Sequence, residues 1–154
     1  MYRLSGSTSL FWRDITFGGN QYTDALQREL NLSFTQAEAL KRGEAAGDHS
    51  VQQVIPILNS VSEDFAGELR KTLDFFTATS GAERVDEIVL AGGGSRALNL
   101  ESILREKFGI SVEIMNPFRN VSFNENEFNP EWISDVAPSM AVAVGLAIRK
   151  LGDA

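Results

Sequence analysis

Three consecutive glycines and a serine, Gly92-Gly93-Gly94-Ser95, follow directly on the apolar run Ile88-Val89-Leu90-Ala91. Without Cβ atoms a backbone can turn sharply and lie flat against a bound group. Where such a turn opens a helix, the unpaired N–H groups attract negative or electron-rich groups. The chemistry on offer is therefore a nucleotide-binding bend, and a tight turn with no ligand is the plain alternative. The residue types alone leave both open. Gly92-x-Gly94-x-x-Ala97 also has the spacing of a dinucleotide fingerprint, with Glu113 about twenty residues on as its ribose-binding acid. That acid should end the second strand of its unit, whereas Ile114 and Met115 continue the apolar run here.

A strand and a helix must position the turn. The run before it has no polar alternation, as expected of a strand buried on both faces. Leu98, Ile103, Leu104 and Phe108 mark a helix ending at Gly109, and residues 110–115 read as a second strand closed by Asn116-Pro117. Strand, helix and strand in about thirty residues predict a parallel pair with a right-handed crossover. Open α/β sheets gather ligands at the end of the strands where this glycine turn falls.

Upstream, residues 10–17 read as a strand broken by Gly18-Gly19. Tyr22, Leu26 and Leu30 recur on one helical face. Thr35-Gln36-Ala37-Glu38 has capping-box spacing and predicts a helix toward Leu40, Lys41 and Arg42. Gly43, Gly47, Asp48 and Ser50 predict a loop. Val51, Val54, Leu58, Val61, Phe65, Leu69, Leu73 and Phe76 form the stripe of a long helix, with Pro56 in its first turns and Gly81 as its stop. Residues 120–130 read as an exposed polar loop, and Pro138 as the start of a final helix.

The chain has 154 residues, one domain's worth, and its 43% hydrophobic content suits a packed core. A net charge of −7 repels phosphates, so neither nucleic acid nor anionic lipid is an expected partner. No apolar run approaches the ~20 residues needed to span a bilayer, so no direct membrane insertion is expected. The absence of cysteine excludes disulfides and fits the cytoplasm. The lone His49 reads as plainly exposed, Trp12 and Trp132 as packing or interface residues, and Glu125, Glu127 and Glu131 as a solvated loop.

Leu90-Ala91-Gly92-Gly93-Gly94-Ser95-Arg96 resembles the adenosine motif of the superfamily that joins actin, heat-shock chaperones and sugar kinases. Arg13-Asp14-Ile15 with Gly18-Gly19, Thr23 and the Ala37-to-Lys41 helix is similar to the FtsA and PilM branch. Asn116-Pro117-Phe118 and the closing Ala137-Pro138 helix resemble the PilM family in particular, a family of type IV pilus assembly proteins.

The resemblance implies an α/β fold, a mixed sheet with flanking helices, forming the second lobe of an actin-like ATPase (ribonuclease H-like). That lobe would run over residues 10–154, with 31–80 a mainly helical subdomain and 1–9 a short N-terminal segment. It implies ATP or ADP as cofactor, with Mg²⁺ in the intact protein. It places Gly92, Gly93 and Gly94 against adenosine and its neighbouring phosphate, and Arg96 near the adenine ring. Ser95 would cap the following helix or face the ligand. Glu38, Lys41 and Arg42 would hold ribose and base from the other side. A carboxylate can accept from ribose hydroxyls, and a guanidinium can stack on a purine. Each has a plain alternative: Glu38 as a capping residue, Lys41 and Arg42 as solvated charges. Arg96 at a helix start would oppose the macrodipole, which favours a functional reason for it. Thr23 and Asp24 read as helix-start residues.

In this family the first lobe supplies a phosphate-binding hairpin and the acid that positions Mg²⁺ and water, and the second lobe opens on another hairpin of the form Asp-x-Gly; residues 4–8 carry no aspartate and are too short for that hairpin. No catalytic residue, no metal ligand, no ATPase activity and only weak nucleotide affinity are therefore expected of this chain alone. The resemblance further implies a cytoplasmic protein, peripheral at the inner face of the bacterial inner membrane, whose partners are other pilus assembly proteins, including the cytoplasmic tail of a PilN-like protein. An open edge on the first strand and the apolar last helix leave room for a homodimer. A sugar- or acetate-kinase lobe predicts a catalytic acid that is not found, and an FtsA-like cell-division protein predicts a terminal amphipathic helix.

Overall fold

The computed structural model describes residues 2–5, 8–46, 48–80 and 85–149. It opens on an antiparallel hairpin of β1 (Tyr2–Ser5) and β2 (Thr8–Trp12), whose register shifts between Arg3 and Leu4. This corrects two expectations. The opening segment does form a hairpin, and β1 occupies one edge of β2. The strand expected over residues 10–17 also stops at Trp12, because Phe17 is pulled inward. Its ring stacks on Phe65 at 4.4 Å and meets Tyr22 edge-on at 5.6 Å, so the chain leaves the ladder for the helical core.

Helix α1 (Gly19–Leu30) buries Tyr22, Thr23, Ala25 and Leu26 and ends at Asn31 in the left-handed conformation. Helix α2 (Phe34–Lys41) starts at Ser33, not at Thr35. Ser33 Oγ accepts from the Gln36 N–H at 3.3 Å, and Gln36 Oε1 accepts from the Ser33 N–H at 3.0 Å. Ser33-x-x-Gln36 satisfies the capping box as well as the later Thr35-x-x-Glu38, and serine is the better cap. Glu38 is thereby released from any capping duty. Helix α3 (Val51–Ser80) carries Pro56 in its second turn on the solvent side. Its expected stop, Gly81, lies outside the described residues. Between α2 and α3, His49 is half-buried and bridges to Ala46 through backbone hydrogen bonds, so it is not plainly exposed.

Helix α3 joins two cores. Its first half packs Val54 and Leu58 against Tyr22, Leu26, Ala37 and Leu40 of α1 and α2. Its second half packs Ala66 and Leu69 against a parallel pair, β3 (Glu87–Leu90) and β4 (Ser111–Ile114), and helix α4 (Leu100–Phe108). Ala97 touches both cores, which puts the segment after the glycine turn at their junction. Within β3 and β4, Leu90 and Val112 are buried under the helices. The alternate residue Val89 is 53% exposed, so β3 is buried on one face and not on two.

The C-terminal region also differs from expectation. Asn129 Oδ1 caps a helix α5 (Pro130–Val136), accepting from the Glu131 and Trp132 N–H groups at 2.7 and 3.3 Å. Pro130 sits at its first position, where a missing N–H costs nothing. A 3₁₀ turn at Ala137–Met140 separates it from α6 (Ala141–Ala147). Pro138 lies inside that turn and does not start the last helix. Trp12, Trp132, Val142, Leu146 and Ile148 are exposed. The α/β architecture with flanking helices is present, and its antiparallel and parallel pairs form two separate two-stranded sheets among the described residues.

Candidate functional site

The end of β3 and the start of α1 meet across a cleft of about 680 Å³, closed on its third side by the end of α2. Gly19, Glu38, Lys41, Arg42, Gly93, Gly94 and Arg96 line it, over an apolar floor that includes Tyr22, Leu40 and Leu58. Two segments far apart in sequence, residues 38–42 and 93–96, thus face one space. The volume lies in the range of small-molecule sites, ~300–1,000 Å³.

The glycines are not equivalent. Gly92 has φ +88° and ψ 165°, a conformation essentially closed to residues with a Cβ, and its N–H donates to the Pro138 carbonyl at 2.7 Å. It makes the bend and ties it to the 3₁₀ turn after α5. At Gly94 a Cβ would lie 3.5 Å from the Gly19 nitrogen, an ordinary contact distance, so the bend lies close against the backbone at the N-terminus of α1. Gly93 faces the cleft, with Ser139 Oγ 3.4 Å from where its Cβ would be.

Residues 93–96 form a 3₁₀ turn instead of opening an α-helix, and α4 begins only at Leu100. Ser95 does not cap it: the residue before α4 is Asn99, in the left-handed conformation. Ser95 is buried, and its Oγ donates to the Gly92 carbonyl at 2.7 Å, closing the bend on itself. Arg96 lines the cleft, but its guanidinium turns to α5. It pairs with Asp135 at 2.7 Å and donates to the Asp135 carbonyl at 3.0 Å. A cation at the carbonyl end of a helix is favourable. The expected conflict with a macrodipole is therefore not present, because Arg96 serves α5.

On the opposite wall the polar groups form a closed cluster. Lys41 Nζ donates to Thr23 Oγ1 at 2.9 Å, to the Gly19 carbonyl at 3.3 Å and to Glu38 Oε1. Thr23 Oγ1 also donates to Glu38 Oε1. The Glu38 and Lys41 side chains are only 18% and 20% exposed. Burial pushes the Glu38 carboxyl up, but hydrogen bonds from Lys41 and Thr23 and the charges of Lys41 and Arg42 outweigh it, so the group sits below its usual range. Arg42 reaches Glu38 Oε2 only at 3.8 Å and is 68% exposed, leaving its planar cation open to a ligand.

Thr23 was legible only as a helix-start residue. Its signal was its place four residues after Gly19, one helical turn along the same face. Glu113, the acid of the rival dinucleotide motif, pairs with Arg119 and lines a separate hollow of about 290 Å³ with Val89 and Met115. It is not among the residues of the larger cleft. Glu125, Glu127 and Glu131 are exposed, and no metal-binding group of three acidic or histidine side chains forms among the described residues.

Comparison with known proteins agrees with this architecture. The family model described as type IV pilus assembly protein PilM matches residues 3–151. Among solved structures, the chain is similar to one from a PilM-PilN type IV pilus biogenesis complex, with a TM-score of 0.79 and 31% sequence identity. The match covers 94% of this chain and 40% of that one, so this chain spans about two fifths of that relative's length. An actin-like fold with a glycine bend at the strand end, matched to the family model over nearly the whole sequence, makes this chain a member of the PilM family of type IV pilus assembly proteins.

Proposed function

We propose that this chain is the adenosine-binding part of a scaffold for type IV pilus assembly, holding ADP or ATP in the cleft between residues 38–42 and 92–96. The observation that carries the reading is the meeting of Glu38, Lys41 and Arg42 with Gly93, Gly94 and Arg96 across one cleft. The residues fit the group. The flat backbone of Gly93 and Gly94 offers a surface for the nucleoside and its first phosphate. Glu38 offers an acceptor for ribose hydroxyls, and Arg42 offers a stacking or phosphate-binding cation. Arg96 reaches the base after leaving Asp135. When bound, the nucleotide would supply a charged, rigid group between the two walls of the cleft, with Mg²⁺ as its expected counter-ion.

The relative in the PilM-PilN complex supports a second part of the proposal, that the protein carrying this lobe binds a PilN-like partner; a place in the cytoplasm at the inner face of the inner membrane is proposed with it. This chain alone carries no hydrolysis. Calorimetric titration with ATP, ADP and NAD tests the nucleotide reading. Adenine nucleotide binding that weakens in Arg96→Ala and Glu38→Gln supports it. Tight NAD binding, or wild-type affinity in both variants, removes it.

A further inference from the structure

We infer that Thr23 is a positioning residue of the cleft, holding one oxygen of Glu38 so that the other is presented to a ribose hydroxyl. The inference rests on the nucleotide reading above and adds a residue to it.

The two oxygens of Glu38 have unequal surroundings. Oε1 accepts from both Thr23 Oγ1 and Lys41 Nζ. Among the described residues Oε2 has only the Arg42 guanidinium, at 3.8 Å, beyond hydrogen-bond reach. One oxygen is therefore spent inside the protein, and the other remains an acceptor on the side of Arg42, a residue that also lines the cleft.

Thr23 does not need Glu38 to satisfy itself. Its hydroxyl lies 3.2 Å from the Gly19 carbonyl, the ordinary back-bond of a threonine within its own helix. A hydroxyl has one proton, and donation to a carboxylate is the stronger bond. The contact thus serves Glu38. Lys41 cannot replace it, because an ammonium on a four-carbon stem is a point charge that fixes no plane. The terminal torsion of a glutamate is broad and two-fold, so a second, rigid donor is needed to select one orientation. Thr23 qualifies: it is buried and fixed by α1, whose first turn also touches the glycine bend.

A double-mutant cycle read by calorimetry tests this, with ADP as ligand and 2′,3′-dideoxy-ADP as the probe lacking the hydroxyls. Thr23→Val should weaken ADP binding about tenfold, the weight of one charge-assisted hydrogen bond. Thr23→Ser should restore most of it. In a Glu38→Gln background Thr23→Val should cost nothing further, and the dideoxy nucleotide should bind wild type and Thr23→Val alike. Amide spectra check folding, and Thr23→Ala replaces Thr23→Val if the latter does not fold. Unchanged ADP affinity in Thr23→Val, or the same loss with Glu38→Gln or the dideoxy probe, overturns the inference. If wild type binds no ADP, the nucleotide reading falls, and a carbon-13 titration of the Glu38 carboxyl decides the positioning role. A carboxyl pKa raised in Thr23→Val but not in Thr23→Ser supports it; identical titrations overturn it.

Discussion

Substituting each glycine of the bend by alanine should separate the one that makes the turn from those that face the cleft. Gly92 stands at φ +88° and ψ 165°, with no atom within 4 Å of where a Cβ would be. The cost of Gly92→Ala is therefore backbone strain and not a clash. Holding a residue other than glycine in that region costs of order 1–3 kcal/mol. The bend cannot relax freely, because the Gly92 N–H is committed to the Pro138 carbonyl and the Gly92 carbonyl accepts from Ser95 Oγ. We expect about 2 kcal/mol, and a fall in melting temperature of about 4–8 °C for a chain of this size. Gly94 has no positive φ, and its Cβ would meet the Gly19 nitrogen at 3.5 Å, an ordinary contact. Gly94→Ala should cost less than ~0.5 kcal/mol, the usual size of a change that touches no strained or buried group. Its effect should fall on nucleotide affinity, since the methyl group enters the space between the bend and α1. Urea and thermal denaturation of both variants, followed by circular dichroism, measure the two costs. If Gly92→Ala is as stable as wild type, or Gly94→Ala loses as much as Gly92→Ala, the assignment of roles within the triplet is wrong.

Further outcomes follow from the cores and the cleft. Tyr22 is 1% exposed and its hydroxyl meets the buried Ser62 Oγ at 2.9 Å, so Tyr22→Phe leaves a buried hydroxyl without its partner and should cost about 1 kcal/mol, the low end because Ser62 can turn to a carbonyl of its own helix. Adding Ser62→Ala to Tyr22→Phe should cost less than the sum of the single changes by urea denaturation; strict additivity would show that the pair is not coupled. The Glu38 carboxyl is held below its ordinary value of 4.5 despite its burial, so its contribution to stability is complete above that pH and lost as pH falls through the lower folded value. Glu38→Gln should flatten that part of the acid limb in a series of urea midpoints from about pH 6 to pH 3, and an unchanged limb would refute it. Ser33→Ala should cost about 0.5–1 kcal/mol and Thr35→Ala almost nothing, because the cap of α2 is Ser33. The reverse order of melting temperatures would return the cap, and Glu38 with it, to the later register.

Patterns that repeat along the chain were open to reading without coordinates. The apolar stripe from Val51 to Phe76 implied a single long helix, and α3 is one. The apolar run at Ile88 to Ala91, the stripe of Leu98, Ile103, Leu104 and Phe108, and the run over 110–115 implied a parallel strand–helix–strand unit, and β3, α4 and β4 form it. Gly109 marked the end of α4, because a left-handed residue there needs no Cβ. These features depend on contacts a few residues apart and on one buried face, both of which a linear sequence displays.

Where two local solutions were nearly equal in energy, tertiary packing chose between them. Ser33 and Thr35 offered the same capping spacing, and the Ser33–Gln36 pair took the cap. Phe17 could extend a strand or enter a core, and stacking on Phe65 drew it inward. The signals for α5 at Asn129-Pro130-Glu131 were in plain view but lay within a polar stretch read as loop. Val89 has the apolar character of a doubly buried strand, yet its burial depends on what else covers the sheet, which no residue of β3 encodes.

The site shows the same division. The glycines announced a bend, and Gly92 is the one whose backbone requires the lack of a Cβ. The partners of Arg96 and Glu38 did not announce themselves, because Asp135 and Thr23 lie on other helices and any exposed acid or hydroxyl would have read alike. A charge's neighbours are set by how helices pack, and packing is a property of the whole chain.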